Sequence, residues 1–283
     1  MDKVFLLLIS LFISINGYGN EHKTNNKIKL ADIPIEEWRF DSLTFQKTIH
    51  IDNDTSKGSF TCDIYFIYPV SVPGEVNLKG LQSTFAQIFS EDEDIPETPQ
   101  QAFDKIVNTY MSEALEDIQE REKEQNDAFL FYNYELNKGN AIDDIFKQHI
   151  LPVSVGYYSY TGGIHGNYYE YYCNIDLRDC KIIEESRLFK PGYEEKLTLL
   201  IQNAINERNN SENEDDHISL LGNIEDIKSS GNFCFSENGI IYIYNPYEIG
   251  PYAQGMVEIE IEYDEIETLL DEKYSFLLNK EDI

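Results

Sequence analysis

Tyr157-Tyr-Ser-Tyr-Thr161-Gly-Gly-Ile-His165-Gly-Asn-Tyr-Tyr-Glu170-Tyr-Tyr-Cys-Asn-Ile175-Asp-Leu-Arg-Asp-Cys180-Lys-Ile-Ile183 is the stretch on which the reading of this chain turns. Seven tyrosines lie between Tyr157 and Tyr172, on either side of the glycine-rich turn Thr161 to Asn167. After the turn, Tyr169, Tyr171, Cys173 and Ile175 alternate with Tyr168, Glu170, Tyr172, Asn174 and Asp176. Side chains alternate between the two faces of a strand, and aromatic residues favour a half-buried pleated surface, so this run predicts a strand. Asp176-Leu177-Arg178-Asp179 predicts a tight turn into a second strand over Cys180–Ile183. The segment is expected at the centre of an antiparallel sheet.

Working outward, Trp38 to Ile51 and the alternating Phe60, Cys62, Ile64, Phe66 and Tyr68 predict two earlier strands. Asn77 is a candidate N-cap for a helix with Leu78, Leu81, Phe85, Ile88 and Phe89 on one face. Thr98, Pro99 and Gln101 form a capping-box start for a longer helix, with a stripe running from Phe103 to Ile118 that includes Leu115. That stripe reads as core. Phe129–Asn137 predicts a strand and Asn137-Lys138-Gly139-Asn140 a turn. Beyond the central segment, Tyr193 to Ile205 predicts a helix. A hairpin turns at Glu237-Asn238-Gly239, and Val257, Ile259, Ile261 and Tyr263 alternate with glutamates in a strand with one wet face. Asp264 with Glu267 is expected to cap a last helix. Strands with interposed helices and no regular βαβ alternation argue an α+β fold of antiparallel sheet packed on a few amphipathic helices. Two successive α+β subdomains are expected, 38–155 and 156–275, followed by a tail at 276–283.

The chain has 283 residues, 41 % hydrophobic, with a formal net charge of −30. Such acidity excludes nucleic acid, whose phosphates need a basic surface, and disfavours anionic lipid. Its plain reading is a well-solvated surface, and its sharper one is long-range attraction to a basic partner. Residues 1–19 read as a secretory signal peptide: Lys3, a short apolar run over Val4–Ile15, and small Gly17 and Gly19 before the expected cut. Residues 20–37 read as a loose polar segment. No later stretch is apolar enough to span a bilayer, so the mature chain is expected in the periplasm or outside the cell. Export permits disulfides, and among Cys62, Cys173, Cys180 and Cys234 the candidate pair is Cys173–Cys180, on opposite arms of the hairpin. Buried free thiols are the alternative. No metal site, P-loop, HExxH pair, GxSxG elbow or Rossmann fingerprint occurs, and no cofactor is expected.

Two places carry candidate binding residues. In the turn these are Tyr160, Gly162, Gly163, His165 and Asn167. His165 could act as a base or ligand, or simply bond backbone while the glycines supply positive φ. In the loop Asn245 to Gly255 they are Pro246, Tyr247, Pro251 and Tyr252, whose tyrosines offer large, low-entropy contact surfaces. The alternative is tyrosines that only fill core.

A tyrosine-rich strand, TGG-hydrophobe-HGN, an aromatic strand ending Asn-x-Asp-Leu, and then a Pro-Tyr-Glu-Ile-x-Pro-Tyr loop resemble one bacterial cell-envelope family. It includes the extracellular domain of the lysozyme-sensing anti-sigma factor RsiV and the amino-terminal module of the peptidoglycan deacetylase PdaC. The resemblance covers Tyr157 to Leu270 well and Leu43 to Val155 more loosely. It implies an exported, non-catalytic envelope module recognising a basic protein such as lysozyme, or a cell-wall glycan. The alternative is a periplasmic enzyme acting on peptidoglycan near the TGGIHGN turn. A purely structural envelope protein is a third reading.

Overall fold

The computed structural model describes residues 38–90, 96–124, 133–143, 145–147 and 149–279. The expected signal peptide, the segment before Trp38, the start of the strand expected from Phe129 and the last residues of the tail lie outside these. The described chain is α+β. A six-stranded sheet runs β1 (Arg39–His50), β2 (Ser59–Ser71), β3 (Asn133–Ile142), β4 (Ile150–Tyr160), β5 (Asn167–Asp176) and β6 (Lys181–Ile182), neighbours in sequence order. A second sheet holds β7 (Phe233–Phe235), β8 (Gly239–Tyr244) and β9 (Val257–Glu262). All pairs are antiparallel except β2 with β3. That parallel step follows from the helices α1 (Leu78–Ser90) and α2 (Pro99–Glu124), which carry the chain back between the two strands.

The helix starts are those the sequence indicates. Asn77 Oδ1 accepts from the Gly80 N–H at 3.1 Å. Thr98 Oγ1 accepts from Gln101 N–H at 3.3 Å, and Gln101 Oε1 accepts from Thr98 N–H at 3.1 Å, a reciprocal box. Leu81, Phe85, Ile88 and Phe89 recur on one face of α1 and are buried, and Phe89 stacks on Phe66 of β2 at 4.1 Å. Leu115, read as part of the α2 stripe, is instead exposed. The turn expected at Asn137–Asn140 is continuous β3. Lys138 and Gly139 pair with Tyr157 and Gly156 of β4, and the Asn140 side chain bonds the backbone of Ile67, accepting at 2.7 Å and donating at 2.8 Å. Pairing on both sides overrides the turn-forming composition. The last helix, α5 (Tyr263–Ile266), is boxed by Glu262 and Glu265, two residues earlier than the expected Asp264 and Glu267.

There are two cores, and β4 divides them. Leu151, Val153 and Val155 face α1 and α2, whereas Ile150 on the other face joins the core built by the second sheet with α4 (Glu194–Asn209) and α5. Both faces are covered, which is why β4 is buried along most of its length rather than alternating. The boundary expected between 155 and 156 falls inside this strand, and one sheet runs through it. The short α3 (Glu185–Leu188) leads from the first sheet to the second.

The candidate Cys173–Cys180 bond is not formed, and the alternative of free thiols holds for all four cysteines. The β5–β6 register pairs Asp176 with Lys181, so the turn between them places Cys180 several residues from a position opposite Cys173. Cys180 has φ +56° and its free thiol donates to the Asn77 carbonyl at 3.4 Å. The Cys62 thiol is pushed up to about 12 by burial, then by Asp63. The Cys234 thiol is pushed up to about 12 by burial, then by Glu258. Both stay protonated at neutral pH, where only a thiolate is nucleophilic.

At the end of β5, Asp176 is fully buried. Its carboxylate accepts from Arg178 Nε at 2.8 Å and Lys273 Nζ at 2.8 Å, and Tyr274 Oη lies 3.3 Å away. Burial alone would push this carboxyl up, but the hydrogen bonds from Arg178 and Lys273 outweigh it and hold it well below the ordinary range. The cluster ties β5 to the 3-10 segment Glu272–Leu278, with Arg178 also lying over the Phe276 ring at 5.0 Å. A depressed folded pKa gives stability that is present above the unfolded value of 3.8 and lost as pH falls through the folded one. Asp176→Asn is therefore expected to cost about 3 kcal/mol at pH 7, as for breaking a buried pair. In urea titrations the gap between wild type and variant should narrow as pH falls below about 4.

Candidate functional site

The site is assembled on β5 because that strand's outer edge is answered by side chains, not by another strand, over Glu170 to Tyr172. Asn245 Oδ1 accepts from Glu170 N–H at 2.8 Å and its Nδ2 donates to Glu170 O at 3.2 Å. Asn232 Oδ1 accepts from Tyr172 N–H at 2.7 Å and its Nδ2 donates to Glu170 O at 2.8 Å. Each buried amide supplies a donor and an acceptor in the place of a strand backbone. Asn245 opens the second candidate loop, so this clamp carries the loop to the turn.

The two candidate stretches meet. His165 stacks on Tyr252 with ring centroids 3.7 Å apart and 13° between planes. Its Nε2 lies 3.2 Å from the Tyr247 hydroxyl and its Nδ1 2.8 Å from the Gly166 carbonyl. Nδ1 therefore carries the hydrogen and donates to Gly166 O, leaving Nε2 to accept from Tyr247. Tyr168 meets Tyr252 edge-on at 5.7 Å. Tyr160 Oη donates to the Gly163 carbonyl at 3.1 Å and braces the turn from within. Gly162 and Gly163 have φ +94° and +108°, the reason for glycine in the turn. Gly166 is needed for space: a Cβ there would stand 2.6 Å from the Tyr158 ring. Burial raises the hydroxyl pKa of Tyr158 and Tyr168, so both stay neutral donors or acceptors.

Pro246 and Pro251 flank the loop, with Pro251 entering a 3-10 turn over Tyr252–Gln254. Tyr247 has φ +74°, held by its N–H on Gly250 O at 3.0 Å. A bulky side chain in this region costs about 1–3 kcal/mol and persists only where the surroundings fix it. Tyr247 is 54 % exposed, and Ile164, at the tip of the turn, is 100 % exposed. Asn167 starts β5 opposite Ser159 and is exposed, at the margin of the cluster.

Sequence reasoning did not single out Tyr168, Asn232 or Glu170. Glu170 lies between the sheets, and burial raises its carboxyl, partly offset by Ser154. Among 52 acidic residues no local signal marks it. Asn232 is one polar residue in a polar loop, and only the register of β5 gives it meaning.

Residues 186–264 match the family model described as a protein of unknown function, DUF3298. The match takes in Asn232 and the Asn245–Gly255 loop and stops short of the TGGIHGN turn. The chain is similar to the crystal structure of a DUF3298 family member from Bacteroides fragilis, with TM-score 0.72 and 28 % identity, covering 87 % of this chain and 98 % of that one. It is also similar in fold to a DUF3298 family protein from Pseudomonas aeruginosa, with TM-score 0.54 and 14 % identity over 84 % of this chain and 96 % of that one. No curated protein matches it.

The stacked imidazole is a direct reporter on the cluster. The His165 ring protons are expected to be shifted upfield in proton NMR by the Tyr252 ring current, and Tyr252→Ala should return them to ordinary positions. Gly166→Ala should produce the same loss by driving Tyr158 out of place, with a lower Tm.

Proposed function

We propose that this chain is an exported, non-catalytic binding module whose partner is a basic protein of the lysozyme kind, docked on Ile164, His165, Tyr247 and Tyr252. The observation that carries the reading is a fully exposed isoleucine beside a stacked, hydrogen-bonded aromatic cluster. Aromatic and aliphatic anchors held rigid before contact are what binding hot spots are made of, because little entropy remains to be lost. The strained backbone of Tyr247 fits the same purpose, since it fixes a ring outward at a cost to stability.

The net charge of −30 supplies long-range attraction for a cationic partner. Export is supported by the leader-like residues 1–19, and the lysozyme-like partner by the resemblance of both motifs to the envelope family. A glycan is less well suited to this patch, because His165 and Tyr252 cover each other's ring faces. A catalytic role for His165 has little to work with, since both ring nitrogens are engaged by Gly166 and Tyr247.

The test is calorimetry against lysozyme at low salt and at 0.5 M salt. Saturable binding should persist at high salt and weaken at least tenfold in Ile164→Ala, whose fully exposed side chain contributes nothing to folding. Tyr247→Gly should weaken binding by a similar factor while leaving stability unchanged or raised by up to about 1 kcal/mol, because glycine accepts the positive φ. Binding that vanishes with salt and ignores both substitutions would reduce the interaction to attraction between an acid and a base and overturn the proposal.

A further inference from the structure

A groove of about 660 Å³, within the range of small-ligand clefts, wraps over the outer edge of β5, with Tyr169 and Tyr171 of one face and Tyr172 of the other along it. Its floor is the aromatic pair Tyr169 and Tyr171, with Tyr171 43 % exposed. One wall is the end of β6 with Glu184, Glu185 and Ser186, and the other is Tyr193 with the loop Ser230–Phe233.

From this geometry we infer that the groove is a binding site for a neutral oligosaccharide. A sugar ring has two kinds of surface, an apolar face of C–H groups and a rim of hydroxyls. It is held where an aromatic ring meets the first and fixed polar groups meet the second. The groove offers both: tyrosine rings, and the carboxylates of Glu184 and Glu185 with the hydroxyls of Ser186 and Ser230 along the walls.

The polar side is built before any ligand arrives. Ser229 Oγ donates to Glu185 Oε1, and Tyr193 Oη lies 3.3 Å from Glu185 Oε2. Groups held this way lose little freedom on binding.

Charge selects the ligand class. No lining residue is a lysine, arginine or histidine, and two are glutamates, so an anionic polymer has nothing to pair with and is repelled. A cationic peptide is the competing occupant. It is less favoured because four tyrosines line the groove against two glutamates. The groove shares no lining residue with the Ile164–Tyr252 patch, so the two sites can be separated by substitution.

The probes are chitotetraose, cellotetraose and maltotetraose, titrated into the protein by calorimetry and by saturation-transfer NMR, with tetralysine in parallel. At least one sugar should bind saturably with protons of one ring face in closest contact. Tyr171→Ala, at a half-exposed position, should weaken it at least tenfold. Ser186→Trp, on an exposed wall position, should abolish it by filling the groove. Tyr247→Gly should leave it unchanged while removing the protein contact proposed above, so failure of one idea is distinguishable from failure of the other. The inference is overturned by silence with all three sugars, by binding that ignores both groove variants, or by Tyr171-dependent binding of tetralysine alone.

Discussion

The structure depends on what satisfies the outer edge of β5. A strand edge that ends in water is a template for the wrong partner, and one that ends in protein must be paired. Here the pairing comes from two asparagine amides of the second part of the chain, Asn232 and Asn245, set against Glu170 and Tyr172. The same device recurs where the Asn140 amide bonds the backbone of Ile67. A side-chain amide has the donor and acceptor of a peptide group but does not commit the chain to a strand. It therefore lets a loop lie against β5 without becoming a strand, and the loop that Asn245 opens carries Tyr247 and Tyr252 to His165.

The clamp also explains how two cores act as one body. β4 packs one face against α1 and α2 and the other toward the second sheet, and the end of β5 at Asn174–Asp176 is buried with it. Hydrophobic contact between layers is non-directional and does not by itself fix their register. The asparagine bonds and the Asp176 cluster are directional, and they sit at successive points along the same strand. Sliding one sheet over the other would break a buried amide or strand a buried carboxylate, each a loss of several kcal/mol.

How far the sequence discloses this structure follows from the range of the interactions. Local signals read true: the caps at Asn77 and Thr98, the alternation of β2 and β9, and the glycines of the turn. Each is set by neighbours within four residues. Misreadings fall where a distant partner decides. Asn137–Asn140 has turn composition yet forms a strand because β2 and β4 pair with it on both sides. Cys173 and Cys180 look like hairpin partners until the β5–β6 register separates them. The turn and the loop are each visible as candidate binding stretches, but their meeting is not, because it depends on Asn245 finding Glu170 across 75 residues.

The resulting site is stiff where function needs it and costly where stability would not choose it. Tyr247 sits at a backbone angle that favours glycine, and Ile164 is left entirely in water. Neither choice improves the core. The expense is offset by the clamp beneath, which holds the loop whether or not a partner is present. A surface so fixed has little freedom left to lose, because the clamp sets the rings and the isoleucine in place before anything touches them.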